Sequence, residues 1–187
     1  MRKILALVAG LMMMASVSFA AASAAATSPT KQIELGIDGG LALATNSGYD
    51  LGFGGQVSGL YRFDENLGVG LGVGFNAFNV TGSTSTFGAS LDDLSILAIL
   101  KYAFGTDKTK PYILVGAGLG DSIANVTFDS ISVSASQMNP EIEGGVGIQF
   151  PAGDSLNLFL QATANLLLTS GSTFTYIPVD FGVNFDI

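Results

Sequence analysis

The sequence predicts an all-β protein, an eight-stranded antiparallel up-and-down transmembrane β-barrel. Three observations predict this fold. Apolar residues alternate with polar residues or glycine in eight segments of the chain, each close to the roughly 10-residue unit of a membrane barrel strand. The connections between the segments alternate between short and longer. The polar faces carry glycine, asparagine, glutamine and serine, whereas the wetted face of a soluble protein usually carries more lysine and glutamate.

The N-terminal residues have the layout of a secretory signal peptide. Arg2 and Lys3 precede an apolar run over residues 4–17, and small residues follow it. The run is shorter than the roughly 20 residues that a membrane-spanning helix needs. We therefore expect a signal peptide over residues 1–26, cleaved between about residues 20 and 26, and a barrel domain over residues 27–187. A retained membrane anchor is the alternative.

The first three segments follow the leader in close succession. The apolar face of the first consists of Ile33, Leu35, Ile37, Leu41 and Leu43, and that of the second consists of Leu51, Phe53, Val57, Tyr61 and Phe63. In the third, "NLGVGLGVGF" over residues 66–75, glycine and bulky apolar residues alternate strictly. This period of two indicates a strand and not the G-x-G-x-x-G loop of a dinucleotide site. The glycines would leave room for the few large side chains of a narrow barrel interior.

The other five segments keep the same alternation. The apolar faces of the fourth and fifth consist of Leu94, Ile96, Ala98, Leu100, Tyr102 and Phe104, and of Ile113, Val115, Ala117 and Leu119. Those of the sixth and seventh consist of Ile142, Val146, Ile148 and Phe150, and of Leu156, Leu158, Leu160, Ala162, Ala164 and Leu166. The last face consists of Ile177, Val179, Phe181, Val183, Phe185 and Ile187. Every proline lies in the leader or near a segment end, because proline cannot donate to a strand ladder.

The connections fall into two groups that belong to opposite ends of the barrel. Those at residues 64–66, 105–110 and 151–155 are short and turn-like. Those at residues 81–90 and 121–139 read as long loops rich in serine and threonine, and residues 45–50 and 169–175 are intermediate. Aromatic residues end the apolar faces on the short-turn side, as in a membrane-interface girdle.

Alternation alone does not say which face is inside. A secreted, lipocalin-like barrel or a sandwich buries the apolar face and exposes the polar one to water. The composition of the polar faces and the aromatic residues near the short turns favour the inverted, membrane arrangement. The soluble binding barrel stays open as an alternative.

At this point the residues resemble a known family. The signal peptide, the eight strands, "KPYILVGAGLGD" at residues 110–121 and the terminal "VDFGVNFDI" are similar to the small outer-membrane β-barrels, the OmpA/OmpX-like or "porin family" barrels. The resemblance implies location in the cell outer membrane of a Gram-negative-type cell and contact with outer-membrane lipid. It also implies assembly by the barrel-assembly machinery, which reads the C-terminal strand.

Composition excludes several function classes. The chain contains no histidine and no cysteine, which removes Ser-His-acid acyl transfer, Asp-His proteolysis and the usual zinc sites. Without Arg2 and Lys3 the chain has 5 basic and 15 acidic residues, a net charge of −10, which disfavours binding to nucleic acid. We therefore predict no catalytic residues, no cofactor and no metal.

Two functions fit what is left. The first is a structural or cell-surface interaction role for a monomeric barrel, with an unidentified protein partner. The second is a small, cation-leaning channel of the porin type. The connections on the long-loop side contain no lysine or arginine, so direct clamping of lipopolysaccharide phosphates is disfavoured.

The polar face predicts two features of the lumen. If the first hairpin is centred near Ser47 and Gly48, Glu34 lies opposite Arg62 and the two form a lumen ion pair. Asp38, Glu143 and Asp180 lie higher in the lumen, as an acidic belt that holds water or a cation above a basic floor. The alternative is that lumen water or amide side chains satisfy each acid separately.

Overall fold

The computed structural model describes residues 32–83, 87–105, 108–128, 131–169 and 171–187; the predicted signal peptide lies outside them. The strands are β1 Ile33–Ala44, β2 Gly52–Arg62, β3 Leu67–Asn79, β4 Phe87–Ala103, β5 Lys110–Phe128, β6 Ile131–Pro151, β7 Leu156–Thr169 and β8 Ser172–Asp186. Each strand pairs antiparallel with the next, and β8 pairs with β1 to close the barrel. Among these residues no helix is long and apolar enough to cross a membrane. The predicted fold class is confirmed.

The apolar face of every strand points away from the barrel axis. Leu35, Val57 and Ile96, for example, are all exposed, whereas Glu34, Asn165 and Asp180 are buried inside. A soluble barrel needs the opposite arrangement, so the lipocalin-like alternative is wrong. The buried polar face and the exposed apolar face are those of a barrel whose solvent is the hydrocarbon of a bilayer.

The strict glycine alternation of β3 reflects crowding on its inner face. A Cβ built on Gly72 would lie 2.6 Å from Ile99 Cδ1 and 2.9 Å from Gln56 Cδ, and one built on Gly74 would lie 2.8 Å from Ser95 Oγ. A Cβ on Gly70 would lie 2.7 Å from the backbone Cα of Leu60. The glycines of β3 therefore leave space for large neighbouring side chains, as predicted, and at Gly70 they leave space for the neighbouring backbone as well.

Three strands are longer than the alternation predicted. β4, β5 and β6 have 17, 19 and 21 residues, whereas β1 and β2 have 12 and 11. A barrel strand crosses a bilayer in about 9–11 residues. The long loop predicted over residues 121–139 is wrong: β5 continues to Phe128 and β6 begins at Ile131. Residues 87–90 of the loop predicted over residues 81–90 likewise belong to β4. These strands form a sheet that stands above the barrel at its long-loop end.

Candidate functional site

The floor of the lumen, at the short-turn end, is built from two ion pairs. Lys101 Nζ lies 2.6 Å from Glu34 Oε1, and Arg62 Nη1 lies 3.3 Å from Asp186 Oδ1. The predicted Glu34–Arg62 pair is therefore wrong. In the β1–β2 register Glu34 lies opposite Leu60, two residues from the expected partner. Arg62 instead lies beside the C-terminal strand, where Asp186 meets it.

Apolar side chains fill the lumen directly above this floor. One cluster consists of Leu60, Leu97 and Ile99, and the other consists of Ala103, Tyr112, Leu114 and Phe159. The Tyr112 ring also lies under the ammonium group of Lys101, 4.5 Å from its centroid, a cation–π contact. The lower lumen is packed, as expected for eight strands.

The three residues of the predicted acidic belt line one cavity in the middle of the lumen. Asp38, Glu143 and Asp180 surround a volume of about 20 Å³, together with neutral polar side chains. Asp38 accepts hydrogen bonds from the backbone N–H of Gln56 at 2.8 Å and from the side-chain amide of Gln161 at 3.3 Å. A single water needs about 10–15 Å³. Within the described ranges no group of three or more acidic side chains is placed to bind a metal ion.

A second acidic group lies higher in the lumen and was not predicted. The Tyr176 hydroxyl lies 2.8 Å from Asp93 Oδ2 and 2.9 Å from Glu141 Oε1. Both acids are 1% exposed. A phenol has one hydrogen to donate, so it serves one of the two carboxyl groups at a time. Within the described part of the chain, Asp93 Oδ1 and Glu141 Oε2 have no hydrogen-bond partner, and both lie next to Gly120.

An aromatic cluster closes the mouth of the lumen at the long-loop end. Phe78 packs edge-to-face against Tyr49, Phe174 and Tyr176, with ring centroids 5.3–6.5 Å apart. Ala42 and Leu167 complete the buried cluster. The polar middle of the lumen therefore lies between an apolar layer below and an aromatic layer above, and three cavities lined by lumen side chains have volumes of about 10–30 Å³.

Above the mouth, the face of the β4–β5–β6 sheet that continues the lumen becomes apolar, and the outer face becomes polar. On the face that continues the lumen, paired residues form three apolar rows: Phe87–Phe128–Ile131, Ala89–Val126–Val133 and Leu91–Ala124–Ala135. The large apolar side chains of this inner face are open to solvent: Val126 44%, Phe128 62%, Ile131 69% and Val133 63% exposed. Leu91 packs against the aromatic cluster, so the apolar surface is continuous from the mouth to the hairpin.

The outer face of the same sheet is polar. Asn125 donates to Asp92 Oδ2 at 3.0 Å, and Ser134 Oγ donates to Asn125 Oδ1 at 2.7 Å. Thr127 and Ser132 hydrogen-bond each other at 3.3 Å. Asp92 is therefore a hydrogen-bonded residue within β4. Since lipid-facing positions must be apolar, this part of the sheet lies outside the bilayer.

One edge of the sheet has no neighbouring strand. β6 pairs with β7 from Glu141 onwards, and no described residue pairs with residues 131–140 on that side. Natural edge strands are usually guarded by lysine, proline or a bulge. Residues 131–139, "ISVSASQMN", contain no charged residue and no proline, and their register with β5 is continuous. This edge, residues 131–140, is therefore open to a further strand except at Pro140, which has no backbone N–H to donate.

The sequence contained a signal for this sheet that the loop prediction missed. In "ISVSASQM" serine stands at positions 132, 134 and 136 and alternates with Ile131, Val133 and Ala135. That alternation has the strand period of two. Its high serine content reads as a loop because serine is common in turns.

A comparison with family models places most of the chain in one family. The model described as outer membrane protein beta-barrel domain matches residues 12–185. No curated protein matches the chain.

Three solved structures show the same fold. Neisserial surface protein A, NspA, is 21% identical, with a TM-score of 0.62, and the match covers 83% of this chain and 97% of that one. Ail, the attachment invasion locus protein of Yersinia pestis, is 16% identical, with a TM-score of 0.57 and coverages of 83% and 99%. The outer membrane protease OmpT from Escherichia coli is 8% identical, with a TM-score of 0.52 and coverages of 88% and 100%. The fold is thus shared by proteins with and without an enzyme name.

Proposed function

The chain belongs to the outer membrane protein beta-barrel domain family, and on that premise we propose that it is a non-catalytic barrel that binds another protein at the cell surface. The observation that carries this proposal is the unpaired edge of β6, residues 131–140. The bound segment adds to this edge as a further strand, because main-chain hydrogen bonds supply affinity and the alternating side chains supply specificity. The barrel holds the sheet outside the outer membrane.

The absence of catalysis rests on the residues available. OmpT shares the fold, but this chain has no histidine or cysteine to act as a base or a nucleophile. The carboxyl groups that it does bury lie in the lumen, between packed layers that a substrate cannot cross. A surface role is also compatible with Ail, which is named as an attachment protein.

The channel alternative has less support. A volume of about 240 Å³ is lined mostly by outward-facing residues such as Val57 and Phe75. The ion-pair floor, the apolar layer and the aromatic mouth each close the lumen, and the three cavities lined by lumen side chains have volumes of about 10–30 Å³. These volumes hold one or two waters. We propose that the polar lumen stabilises the fold and does not conduct ions.

A peptide probe tests the strand-addition proposal. The full-length protein is folded in detergent and mixed with a neutral nine-residue peptide in which valine and serine alternate. Hydrogen exchange, followed by mass spectrometry, is expected to slow at the backbone amides of residues 131–139. The same peptide with methylated backbone nitrogens is the control, because it has lost the donors of the ladder.

A shortened barrel provides the matched variant. Ser122 and Gln137 are directly opposite each other, so Asn-Gly in place of residues 123–136 gives a two-residue hairpin. This variant is expected to fold into the same barrel and to lose peptide binding. Unchanged exchange at residues 131–139 with every alternating peptide, or equal binding by the shortened barrel, contradicts the proposal.

A further inference from the structure

Charge is distributed unevenly along the barrel axis. Arg62, Lys101, Lys108 and Lys110 are the cations among the described residues, and all lie in the floor or in the short turns. No lysine or arginine occurs after Lys110 in the sequence. The solvent-facing charges at the long-loop end, within the described part, come from Asp50, Asp92 and Asp121. The electrostatic potential around the β4–β5–β6 sheet is therefore negative.

Resting on the function proposed above, we infer that the partner is a cationic amphipathic strand. Its inward side chains are apolar and cover the inner face at Val133 and Ile131. Its outward side chains are lysine or arginine and lie on the same side as the aspartates. The negative charge of this surface complements the positive charge of such a partner.

Register places one aspartate close enough to act on such a strand. Asp121 lies directly opposite Met138, whose side chain is on the outer face of the free edge. A strand added beside β6 puts its outward residue two strand spacings from Asp121, about 10 Å away. That distance is about one Debye length at 0.1 M ionic strength, and a lysine side chain shortens it further. Asp92, one strand beyond, adds a weaker attraction.

A second copy of this chain is a poorer occupant. Antiparallel pairing of two β6 edges requires a twofold axis perpendicular to the strands. Two copies in one membrane stand in the same direction and are related by an axis along the membrane normal, so they cannot pair in this way. A copy from another cell can, but it brings the same acidic residues to the contact. Like charges at that contact oppose pairing.

A polyanion is disfavoured by the same charge distribution. Ail has been crystallised with the heparin analogue sucrose octasulfate. On this chain the long-loop connections contain no lysine or arginine to hold sulfate groups. A ligand of that kind would meet aspartate, neutral polar and apolar side chains at this sheet and no cation among the described residues.

Three peptides that differ at one kind of position test the inference. All have nine residues with valine at alternate positions, and the intervening residues are lysine, serine or glutamate. Affinity for the folded full-length protein is measured by fluorescence anisotropy. The lysine peptide is expected to bind about tenfold more tightly than the serine peptide, and the glutamate peptide more weakly than either. The differences are expected to shrink at 1 M salt, where screening is nearly complete.

Two variants locate the effect on the sheet. Asp121→Asn is expected to remove most of the preference for the lysine peptide and to leave the serine peptide unchanged. Val133→Asn is expected to weaken all three peptides about tenfold, because the inner face loses an apolar contact. Glu65→Gln, at the short-turn end and 3.8 Å from Lys110, is the matched charge control and is expected to change nothing.

The outcomes separate the inference from the function on which it rests. Equal binding of the lysine and serine peptides, with slowed exchange at residues 131–139 for both, overturns the inference and leaves strand addition intact. No binding by any peptide overturns both. Dimers of the protein alone that disappear with Val133→Lys, a standard guard for an edge strand, would assign the edge to a second copy and overturn the inference.

Discussion

Lys101 Nζ lies 2.6 Å from Glu34 Oε1 across the lumen floor, joining β4 to β1 through the barrel interior. The two strands are not neighbours in the sheet. Both side chains are buried, and the Tyr112 ring covers the ammonium group. The pair therefore links two separate walls of the barrel at the end where β1 begins and β8 ends.

Removing one member of this pair leaves a buried charge without its partner. We expect Lys101→Met to lower the free energy of unfolding by about 3–5 kcal/mol, and the double change with Glu34→Gln to lower it by clearly less. The measurement is urea titration of the barrel refolded in lipid vesicles, read by gel mobility without boiling. Lys110→Met is the control, because its partner Glu65 is solvent-exposed and 3.8 Å away, and such pairs contribute about 1 kcal/mol at most. Equal losses for the single and double variants would argue against the pairing.

The position of this pair also shows where sequence reasoning stops. Alternation placed Glu34 and Arg62 in the lumen, because the face of a residue depends only on its parity along the strand. Pairing depends on hairpin register and on which walls approach each other across the barrel. The expected β1–β2 register differs from the observed one by two residues. A shift of two leaves every side chain on its predicted face of the sheet but gives every residue a different partner on the neighbouring strand. The pairs Lys101–Glu34 and Arg62–Asp186 connect residues that are 67 and 124 positions apart, and nothing local in the sequence encodes such contacts.

The acidic belt was easier to predict than the acids above it. Asp38, Glu143 and Asp180 share a cavity because all three lie at similar depth on the lumen face. Asp93 and Glu141 meet through Tyr176, a residue that the sequence analysis assigned neither to a connection nor to a strand face. The loop prediction for residues 121–139 failed because this segment is rich in serine. Serine is common in turns and also on the solvent-exposed face of a sheet, so its presence does not separate the two.

Tyr176 is expected to be the key residue of the upper lumen. Tyr176→Phe removes the hydroxyl that both Asp93 and Glu141 approach, at an expected loss of about 1–3 kcal/mol in the free energy of unfolding. The same urea titration measures the loss. Tyr102→Phe, on the lipid-facing side of β4, makes the same chemical change and is expected to stay within about 0.5 kcal/mol of the wild type. If the two variants behave alike, the Tyr176 hydroxyl does not stabilise the buried acids.

Glycine in β3 is expected to be required where the neighbouring backbone is close. A Cβ on Gly70 would lie 2.7 Å from Leu60 Cα and 2.8 Å from the Gly59 carbonyl carbon. Gly70→Ala should therefore lower the free energy of unfolding by about 1–3 kcal/mol. A Cβ on Gly144, in β6, meets no atom within 4 Å, so Gly144→Ala is expected to be neutral or to stabilise by about 0.5–1 kcal/mol. An equal response at both positions would mean that crowding does not explain the alternation.

The folded barrel is expected in the outer membrane as a heat-modifiable protein. A closed barrel pairs all of its strand ladders and resists detergent until it is boiled, so boiled and unboiled samples should migrate differently on a gel. The measurement is gel mobility of the detergent-extracted outer-membrane fraction. The shortened barrel, with Asn-Gly in place of residues 123–136, is expected to show the same shift, because that segment lies above the barrel. Recovery of the chain as a soluble periplasmic protein would contradict this prediction.

The lumen is closed near both of its ends, so we expect the barrel not to conduct ions. An ion that enters from the long-loop end meets the aromatic cluster of Phe78, Phe174 and Tyr176, and one that enters from the other end meets the Lys101–Glu34 pair and the apolar layer behind it. Between them lie cavities of about 20–30 Å³, which hold one or two waters and no continuous column. Purified protein in planar bilayers is therefore expected to show no sustained open state, and any brief leak should favour cations because carboxyl groups line the middle of the lumen. Phe174→Ala removes a ring from the aromatic cluster at the mouth, and Lys101→Met removes the ion pair of the floor. We expect brief leaks to become more frequent only when both changes are combined. Stable conductance of the size of a large porin, or anion selectivity, would show that the lumen opens in a way this packing does not allow.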